Sequence, residues 1–218
     1  MLSGAIRILF SKQGRIKFIS HLDTCRVLRG AFVRAGIKLR YSEGFNPHPR
    51  LTLALPLSLG HESICEMADV ILEQPISESD LVAQMNAALP EGIAVISAAS
   101  AIAKYGQLGS AKYKITFDCP EHTKISILLL NTAASLCVDK TTKSGKTKSV
   151  DVRAGLKSWE ISSQQDSTIL TATLSVAGES YTSPDLLVTA LSNALPNEWN
   201  HHSICRQEIY TSTGEVFR

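Results

Sequence analysis

The hydrophobic pattern at the start of the chain alternates first with the period of a strand and then with that of a helix. Residues 6–10 predict a strand, and residues 15–19 alternate basic and apolar positions, which predicts a second strand in a hairpin with the first. Ser20 precedes a helical pattern over residues 21–35, and a serine at that position is a favourable N-cap. We expect the apolar face of this helix to be buried and three arginines on its other side to stay accessible: Arg26, Arg29 and Arg34.

The pattern then continues as strand, strand, helix and strand up to residue 98. The predicted strands are residues 51–55, 66–72 and 93–98, and Ser77 begins a helix that extends to residue 89. With the first strand and helix, this order is βαββαβ, the pattern of the ferredoxin-like fold, and the extra hairpin strand is an addition to it.

The second half of the chain repeats this pattern less regularly. Its predicted strands and helices end in a helix over residues 184–195 and a strand over 202–210, and residues 122–134 predict its first helix. The sequence around Asp80, ending in Ala-Leu-Pro, also matches the sequence around Asp185. We therefore predict an α+β protein with two tandem ferredoxin-like (βαββαβ) halves, the second degraded: residues 1–100, a linker at 101–111, and residues 112–218.

Charge is distributed unevenly along the chain. The net charge of the 218 residues is +2, but residues 1–60 hold ten Lys or Arg and two acids, which gives +8. Residues 61–110 hold one base and seven acids, which gives −6. A segment of +8 attracts polyanions such as RNA. The alternative is a solvated surface that the acidic segment balances after folding.

Several classes of protein do not fit the sequence. The five cysteines form no Cys-x-x-Cys pair and no Cys-x-x-x-Cys-x-x-Cys motif, so we expect no iron–sulfur cluster, no zinc ribbon and no cofactor. No apolar run approaches the ~20 residues of a membrane-spanning helix, and the first residues do not read as a secretion signal. We therefore expect a cytoplasmic protein that does not bind membranes.

Four segments carry a resemblance to a known family. They are residues 18–23 (Phe-Ile-Ser-His-Leu-Asp), 41–50 (Tyr-Ser-Glu-Gly-Phe-Asn-Pro-His-Pro-Arg), 56–60 (Pro-Leu-Ser-Leu-Gly) and 148–153 (Lys-Ser-Val-Asp-Val-Arg). With these segments the chain resembles the domain of unknown function found beside or fused to cobalamin-type radical S-adenosylmethionine proteins. The resemblance implies a partner that acts in trans on such a protein, in a process that involves RNA or translation.

The same segments supply the candidate binding residues. A helix start offers backbone amides to phosphate, arginine binds phosphate in a bidentate manner, and an aromatic ring stacks on a base. Two X-Pro steps stiffen the loop at residues 46–49. We predict one pocket for a phosphate-bearing ligand, formed by His21, Asp23, Arg26, Tyr41, Glu43, Asn46, His48 and Arg50.

Several residues of these segments also have a purely structural interpretation. Asp23 fits a charge that complements the helix dipole, and His21 fits a cap or a core position. Residues 46–49 fit a structural turn, and Tyr41 and Phe45 fit core positions. A metal site that combines His21, Asp23 and His48 with His61 or Cys65 fits no standard zinc spacing, and we expect no metal there.

Three hypotheses about function follow. In the first, the chain is a non-catalytic partner of a radical S-adenosylmethionine protein and holds transfer or ribosomal RNA through its basic half. In the second, it is an enzyme: tandem ferredoxin-like folds resemble the metal-independent RNA endonucleases of CRISPR systems, which implies His21 or His48 as general acid or base. In the third, it is a protein–protein adaptor. RNA binding that depends on salt distinguishes the first hypothesis from the third.

Overall fold

The computed structural model describes residues 1–2, 4–118, 134–141, 147–164, 167–194 and 202–218. It divides into two compact units, a first unit of Met1–Gln107 with Arg218 and a second unit of Leu108–Phe217. Both contain antiparallel strands and helices, so the predicted α+β class is confirmed. Within the described residues, no helix has the length and apolar character needed to cross a membrane.

The first unit has the predicted element order. Its strands are β1 (Ala5–Lys12), β2 (Leu51–Leu53), β3 (Glu62–Ile71) and β4 (Ile93–Ser100), and its helices are α1 (His21–Arg34) and α2 (Glu78–Ala88). β1 lies between β3 and β4 and pairs antiparallel with both, while β2 pairs with β3. Strand β3 begins and ends earlier than predicted, β4 extends further than predicted, and β2 is shorter than predicted.

The core of the first unit lies between one face of this sheet and the two helices. Alternate residues of β1 are buried completely, which is the period of a strand with one covered face. Leu28 and Phe32 of α1 and Leu81 and Met85 of α2 pack in the same cluster. The predicted apolar face of α1 is therefore correct at its centre.

The predicted second hairpin strand is wrong. Residues Gly14–Phe18 form a 3-10 helix, which begins where Gly14 has a φ of +68°. Lys12 is buried, and its Nζ donates to the carbonyls of Lys17 (3.3 Å) and Ile19 (3.0 Å). Burial lowers the pKa of this ammonium group, and the negative charge of Glu66 opposes that shift. The chain therefore winds around a buried lysine, which the alternation of residues 15–19 does not reveal.

Both helices of the first unit begin at the predicted serine. The hydroxyl of Ser20 accepts a hydrogen bond from the backbone N–H of Asp23 (3.1 Å), and that of Ser77 accepts one from the N–H of Asp80 (3.0 Å). Each cap satisfies a backbone donor that would otherwise lack a partner within the helix. After α1, Gly36 adopts a φ of +71°, as expected for a residue that ends a helix.

The arginine face of α1 is only partly accessible. Arg26 and Arg34 are exposed, but Arg29 is half-buried and its Nε is shielded from solvent. The prediction that all three arginines stay accessible therefore holds for Arg26 and Arg34 and only in part for Arg29. The reason is that the chain after α1 folds back along this side of the helix, as described below.

The second unit contains a four-stranded sheet and a separate two-stranded one. The four strands, in spatial order, are β10 (His202–Thr211), β5 (Leu108–Phe117), β9 (Ser167–Ser175) and β8 (Leu156–Gln164). The two-stranded sheet pairs β6 (Cys137–Thr141) with β7 (Thr147–Asp151). Among the described residues of this unit, the helices are α3 (Val152–Gly155) and α4 (Pro184–Ala194).

The assignment of both halves to the ferredoxin-like fold is not confirmed. The second unit carries the additional β6–β7 sheet, and the predicted helix at residues 122–134 lies largely outside the described residues. The predicted linker at 101–111 spans the boundary between the units, where a 3-10 helix (Tyr105–Gln107) leads directly into β5. The division into 1–100 and 112–218 stays a prediction.

Candidate ligand-binding arm of the first unit

Residues 38–50 fold into an extended arm that runs back beside β3. Tyr41 and Pro49 form an antiparallel bridge, and the backbone N–H of Arg50 donates to the carbonyl of Arg40 (2.9 Å). The N–H of Arg40 in turn donates to the carbonyl of Ile71 at the end of β3 (2.8 Å). These bonds fix the base of the arm against the sheet.

The pairing divides the side chains of the arm between two faces. Residues that lie opposite each other in an antiparallel pair share a face, and faces alternate along each strand. Arg40, Ser42, His48 and Arg50 therefore occupy one face, and Tyr41 and Pro49 the other. Ser42, His48 and Arg50 border one cavity and Tyr41 borders another, while Pro49 borders both.

The first cavity has a volume of about 340 Å³ and a lining of both polar and apolar side chains. Ser42, His48 and Arg50 of the arm line it together with Asp69 of β3. An imidazole, a guanidinium and a carboxylate thus border one space, an arrangement that can bind a phosphate or exchange a proton.

The ring of His48 is held in one orientation. Its Nδ1 lies 3.0 Å from the hydroxyl of Ser42 and 3.4 Å from the carbonyl of Asn46. The backbone N–H of His48 also donates to that hydroxyl (3.1 Å). These contacts occupy Nδ1 and leave Nε2 as the ring nitrogen that can meet a ligand.

A buried arginine fixes the position of Asp69. Arg7 of β1 is 4% exposed and donates from Nε and Nη2 to the two carboxylate oxygens of Asp69, at 2.7 and 2.8 Å. Arg7 also donates to the carbonyls of Ala103 (2.7 Å) and Arg218 (2.9 Å), and it lies over the ring of Tyr105. Burial, together with the charge of Asp69, raises the pKa of the Tyr105 phenol.

The tip of the arm projects into solvent. Glu43, Phe45 and Asn46 are exposed, and the Phe45 side chain is fully accessible at 111% relative exposure. Gly44 has a φ of +116°, a conformation that favours glycine. An exposed phenyl ring on a fixed base is available to stack on a partner without a large ordering cost.

The start of α1 is occupied by local interactions. The hydroxyl of Ser20 donates to the carboxylate of Asp23 (2.7 Å), and Nη1 of Arg26 donates to the same group (2.7 Å). The hydrogen bond from Ser20 and then the one from Arg26 lower the pKa of Asp23. Asp23 and Arg26 therefore complete a helix cap and neutralise each other, which fits the structural interpretation of these two residues.

The predicted binding residues fall into two groups in the described contacts. His48 and Arg50 meet at one cavity, while Asp23 and Arg26 meet at the start of α1. Tyr41 lines a different cavity with Arg29 and Val33, which belong to the second half of α1. Because a helix rises 1.5 Å per residue, those positions lie roughly 12–18 Å along the axis from His21.

The idea of a single pocket for all eight residues stays a prediction. None of the hydrogen bonds or ion pairs among the described residues joins His21 to the arm. Within the described part of the chain, no group of three or more His, Cys, Asp or Glu side chains is placed to hold a metal ion.

Sequence reasoning missed Asp69 and Arg7. Each is a charged residue within a strand, and the residues before and after it in the sequence are buried and apolar. A charged residue within a buried strand is unusual unless it is paired. The two charges within apolar strands were therefore visible in the sequence. The sequence does not show that they pair with each other across 62 positions.

Comparison with known proteins identifies a family and no activity. The model of the family described as "Uncharacterized protein conserved in bacteria (DUF2344)" matches residues 5–197. The chain belongs to this family. The description of DUF2344 names no radical S-adenosylmethionine protein, so that part of the resemblance stays a prediction.

The other comparisons add no function to this family assignment. No curated protein matches this chain. A crystal structure of an unknown protein from Galdieria sulphuraria is 10% identical, with a TM-score of 0.26, and the match covers 92% of this chain and 95% of that one. At that TM-score the similarity says nothing about fold or function.

Proposed function

We propose that this protein binds RNA through the arm of its first unit and serves as a non-catalytic partner of a radical S-adenosylmethionine protein that acts in trans. The observation that carries RNA binding is the fully exposed Phe45 at the tip of an arm whose base is fixed to β3. Aromatic rings presented in this way stack on unpaired bases of single-stranded RNA.

The charge of the arm supports a polyanionic ligand. Arg40 and Arg50 are exposed on one face, and neither forms an ion pair with any residue that the structure describes. Arg26 is paired with Asp23, and Arg34 donates to the carbonyl of Ala88 at the end of α2. Arg40 and Arg50 are therefore the arginines of the arm itself whose charge no described carboxylate neutralises, which leaves it available for phosphate.

The first cavity, which His48, Arg50 and Asp69 line, lies on the same face of the arm as these arginines. A phosphate that meets Arg50 there would also meet Nε2 of His48, while Asp69 is neutralised by Arg7 and repels it less. The proposed interface thus combines a stacking ring at the tip with cations and an imidazole near the base.

Fluorescence anisotropy with a short labelled single-stranded RNA tests the proposal. Phe45→Ala should weaken binding by about 1–3 kcal/mol, the usual value of one stacked base. Arg50→Ala should weaken it for all sequences and reduce the slope of log Kd against log salt by about 0.7. Arg15→Ala is the matched control, because Arg15 is exposed in the same basic segment but lies outside the arm.

The other two hypotheses are outcomes of the same experiment. If the protein does not bind RNA at low salt, or if Phe45→Ala and Arg50→Ala bind as the wild type does, the adaptor hypothesis replaces this one. If the protein cleaves the RNA in excess EDTA and His48→Ala abolishes cleavage while binding persists, the chain is an enzyme.

The partnership rests on the resemblance of residues 18–23 and 41–50 and has its own test. Co-expression with a radical S-adenosylmethionine protein from the same genome should yield a complex that survives gel filtration. Separate elution of the two proteins, both with and without bound RNA, would contradict the partnership and leave RNA binding unaffected.

A further inference from the structure

The first cavity contains an acceptor that phosphate binding leaves unused. Asp69 lines this cavity, and 26% of its side chain is exposed although it is paired with Arg7. Arg50 and His48 line the same cavity and carry donors that suit a phosphate. An ionised carboxylate accepts hydrogen bonds and repels phosphate, so Asp69 is suited to a different part of the ligand.

Asp69 keeps acceptor capacity beyond its pair with Arg7. A carboxylate accepts about four hydrogen bonds. Nε and Nη2 of Arg7 supply one to each oxygen, at 2.7 and 2.8 Å. The phenol of Tyr105 also interacts with Asp69, but it carries a single hydrogen, and it donates to the carbonyl of Thr52 (3.1 Å). At least one acceptor position of the carboxylate is therefore left for a ligand.

Strand pairing places Asp69 within the span of one nucleotide from the nearest cation. In the antiparallel register of β2 and β3, Thr52 lies opposite Asp69, and the N–H of Ile71 donates to the carbonyl of Arg50 (3.3 Å). Arg50 and Asp69 are therefore diagonal neighbours on one face of the sheet, with a spacing of about 7–8 Å between Cα atoms. A nucleotide whose phosphate meets Arg50 can thus bring its ribose to Asp69.

We infer that Asp69 accepts a hydrogen bond from the 2′-hydroxyl of a ribose whose phosphate meets Arg50, so that the arm selects RNA over DNA; this role rests on the RNA binding proposed above. The 2′-hydroxyl is the group that distinguishes the two nucleic acids, and it is a donor that an ionised carboxylate accepts. Deoxyribose leaves the partly desolvated carboxylate without this partner, and a site built for a hydroxyl discriminates against an analogue that lacks it.

Three labelled oligonucleotides of one base sequence, without uracil or thymine, test the selection by fluorescence anisotropy with the wild-type protein at low salt. One is RNA, one is DNA, and the third, fluoro-RNA, has fluorine in place of each 2′-hydroxyl, which removes the donor but keeps the sugar pucker of RNA. RNA should bind about 10-fold more tightly than either analogue, which corresponds to about 1.4 kcal/mol. Equal affinity for RNA and fluoro-RNA would overturn the selection and leave RNA binding through the arm intact. No binding of RNA at all would remove the proposed function as well.

Two variants assign the selection to Asp69. Asp69→Asn keeps the shape of the side chain but leaves one acceptor oxygen, for which Arg7 competes, and Thr52→Leu covers the carboxylate from the opposite strand with a larger apolar group. Each should abolish the preference for RNA over fluoro-RNA. Glu73→Gln is the control, because it removes an equal charge from an exposed position that does not line this cavity, and it should keep the preference of the wild type. Loss of the preference in Glu73→Gln, or its persistence in Thr52→Leu, would overturn the assignment to Asp69, and Thr52→Leu decides if Asp69→Asn does not fold.

Discussion

Arg7 and Arg29 carry the same guanidinium group into two parts of the first unit, and their surroundings differ. Arg7 forms an ion pair with Asp69, hydrogen bonds to two carbonyls and a ring contact, and these partners come from β3, from residues 103–105 and from Arg218. Arg29 has a buried Nε with no acceptor among the described residues. The first arginine is satisfied by its partners in the fold, while the second keeps a buried donor that no described acceptor satisfies.

The largest expected effect tests the structural arginine. Asp69→Ala leaves Arg7 buried without its carboxylate partner, and breaking a buried pair in this way destabilises a protein by about 3–5 kcal/mol. Urea unfolding followed by circular dichroism measures the change. Asp23→Ala is the control because it breaks the exposed pair with Arg26, and its effect should be far smaller. Equal losses for the two variants would contradict the structural role of the Arg7–Asp69 pair.

Arg29→Met should not lower the free energy of unfolding as Asp69→Ala does. Removing a buried donor that lacks an acceptor relieves its desolvation cost, so the free energy of unfolding should stay unchanged or rise by about 1 kcal/mol. The same urea experiment measures it in the absence of ligand. A loss comparable to that of Asp69→Ala would place Arg29 among the residues that hold the fold, and the comparison between the two arginines would fail.

Ser20→Ala tests whether the start of α1 contributes to RNA binding or only to stability. Loss of the N-cap should cost about 1 kcal/mol of stability, and Ser77→Ala, which removes the matching cap of α2, should cost a similar amount. Neither variant should alter RNA affinity, because the proposed interface is the arm. If Ser20→Ala weakens RNA binding and Ser77→Ala does not, the start of α1 is part of the RNA-binding site.

The smallest effect is a change in the titration of Asp23. The hydrogen bond from Ser20 is the main cause of its lowered pKa, so Ser20→Ala should raise that pKa toward its ordinary value. Because the folded pKa lies below the unfolded one, the stabilising contribution of Asp23 is present above the unfolded pKa of about 3.9 and is lost as pH falls through the folded pKa. NMR titration of the carboxylate carbon measures the shift. An unchanged pKa in the variant would assign the shift to Arg26 instead.

Features that depend on neighbouring residues were predictable from the sequence. Ser20 and Ser77 cap their helices because a cap needs only the next three residues. The non-helical conformation of residues 42–50 follows from two prolines and a glycine in one short stretch. The element order of the first unit follows from hydrophobic periods that each strand or helix carries by itself.

Features that depend on distant residues were not predictable. The strand expected at residues 15–19 became a 3-10 helix because Lys12 is buried beneath it and binds its carbonyls. Arg29 was expected in solvent on a helical wheel, but that wheel does not include the arm that packs beside it.

The sequence by itself determined the α+β class, the helix starts, the basic character of residues 1–60 and the candidate residues of the arm. Only the tertiary structure decided which of those candidates meet. It placed His48 and Arg50 around the same cavity as Asp69, and it placed Tyr41 on the opposite face of the arm beside Arg29. The physical reason is that capping and periodicity act within a few residues. Burial and ion pairing depend instead on which segments fold against each other, as Arg7 and Asp69 do from positions 62 residues apart.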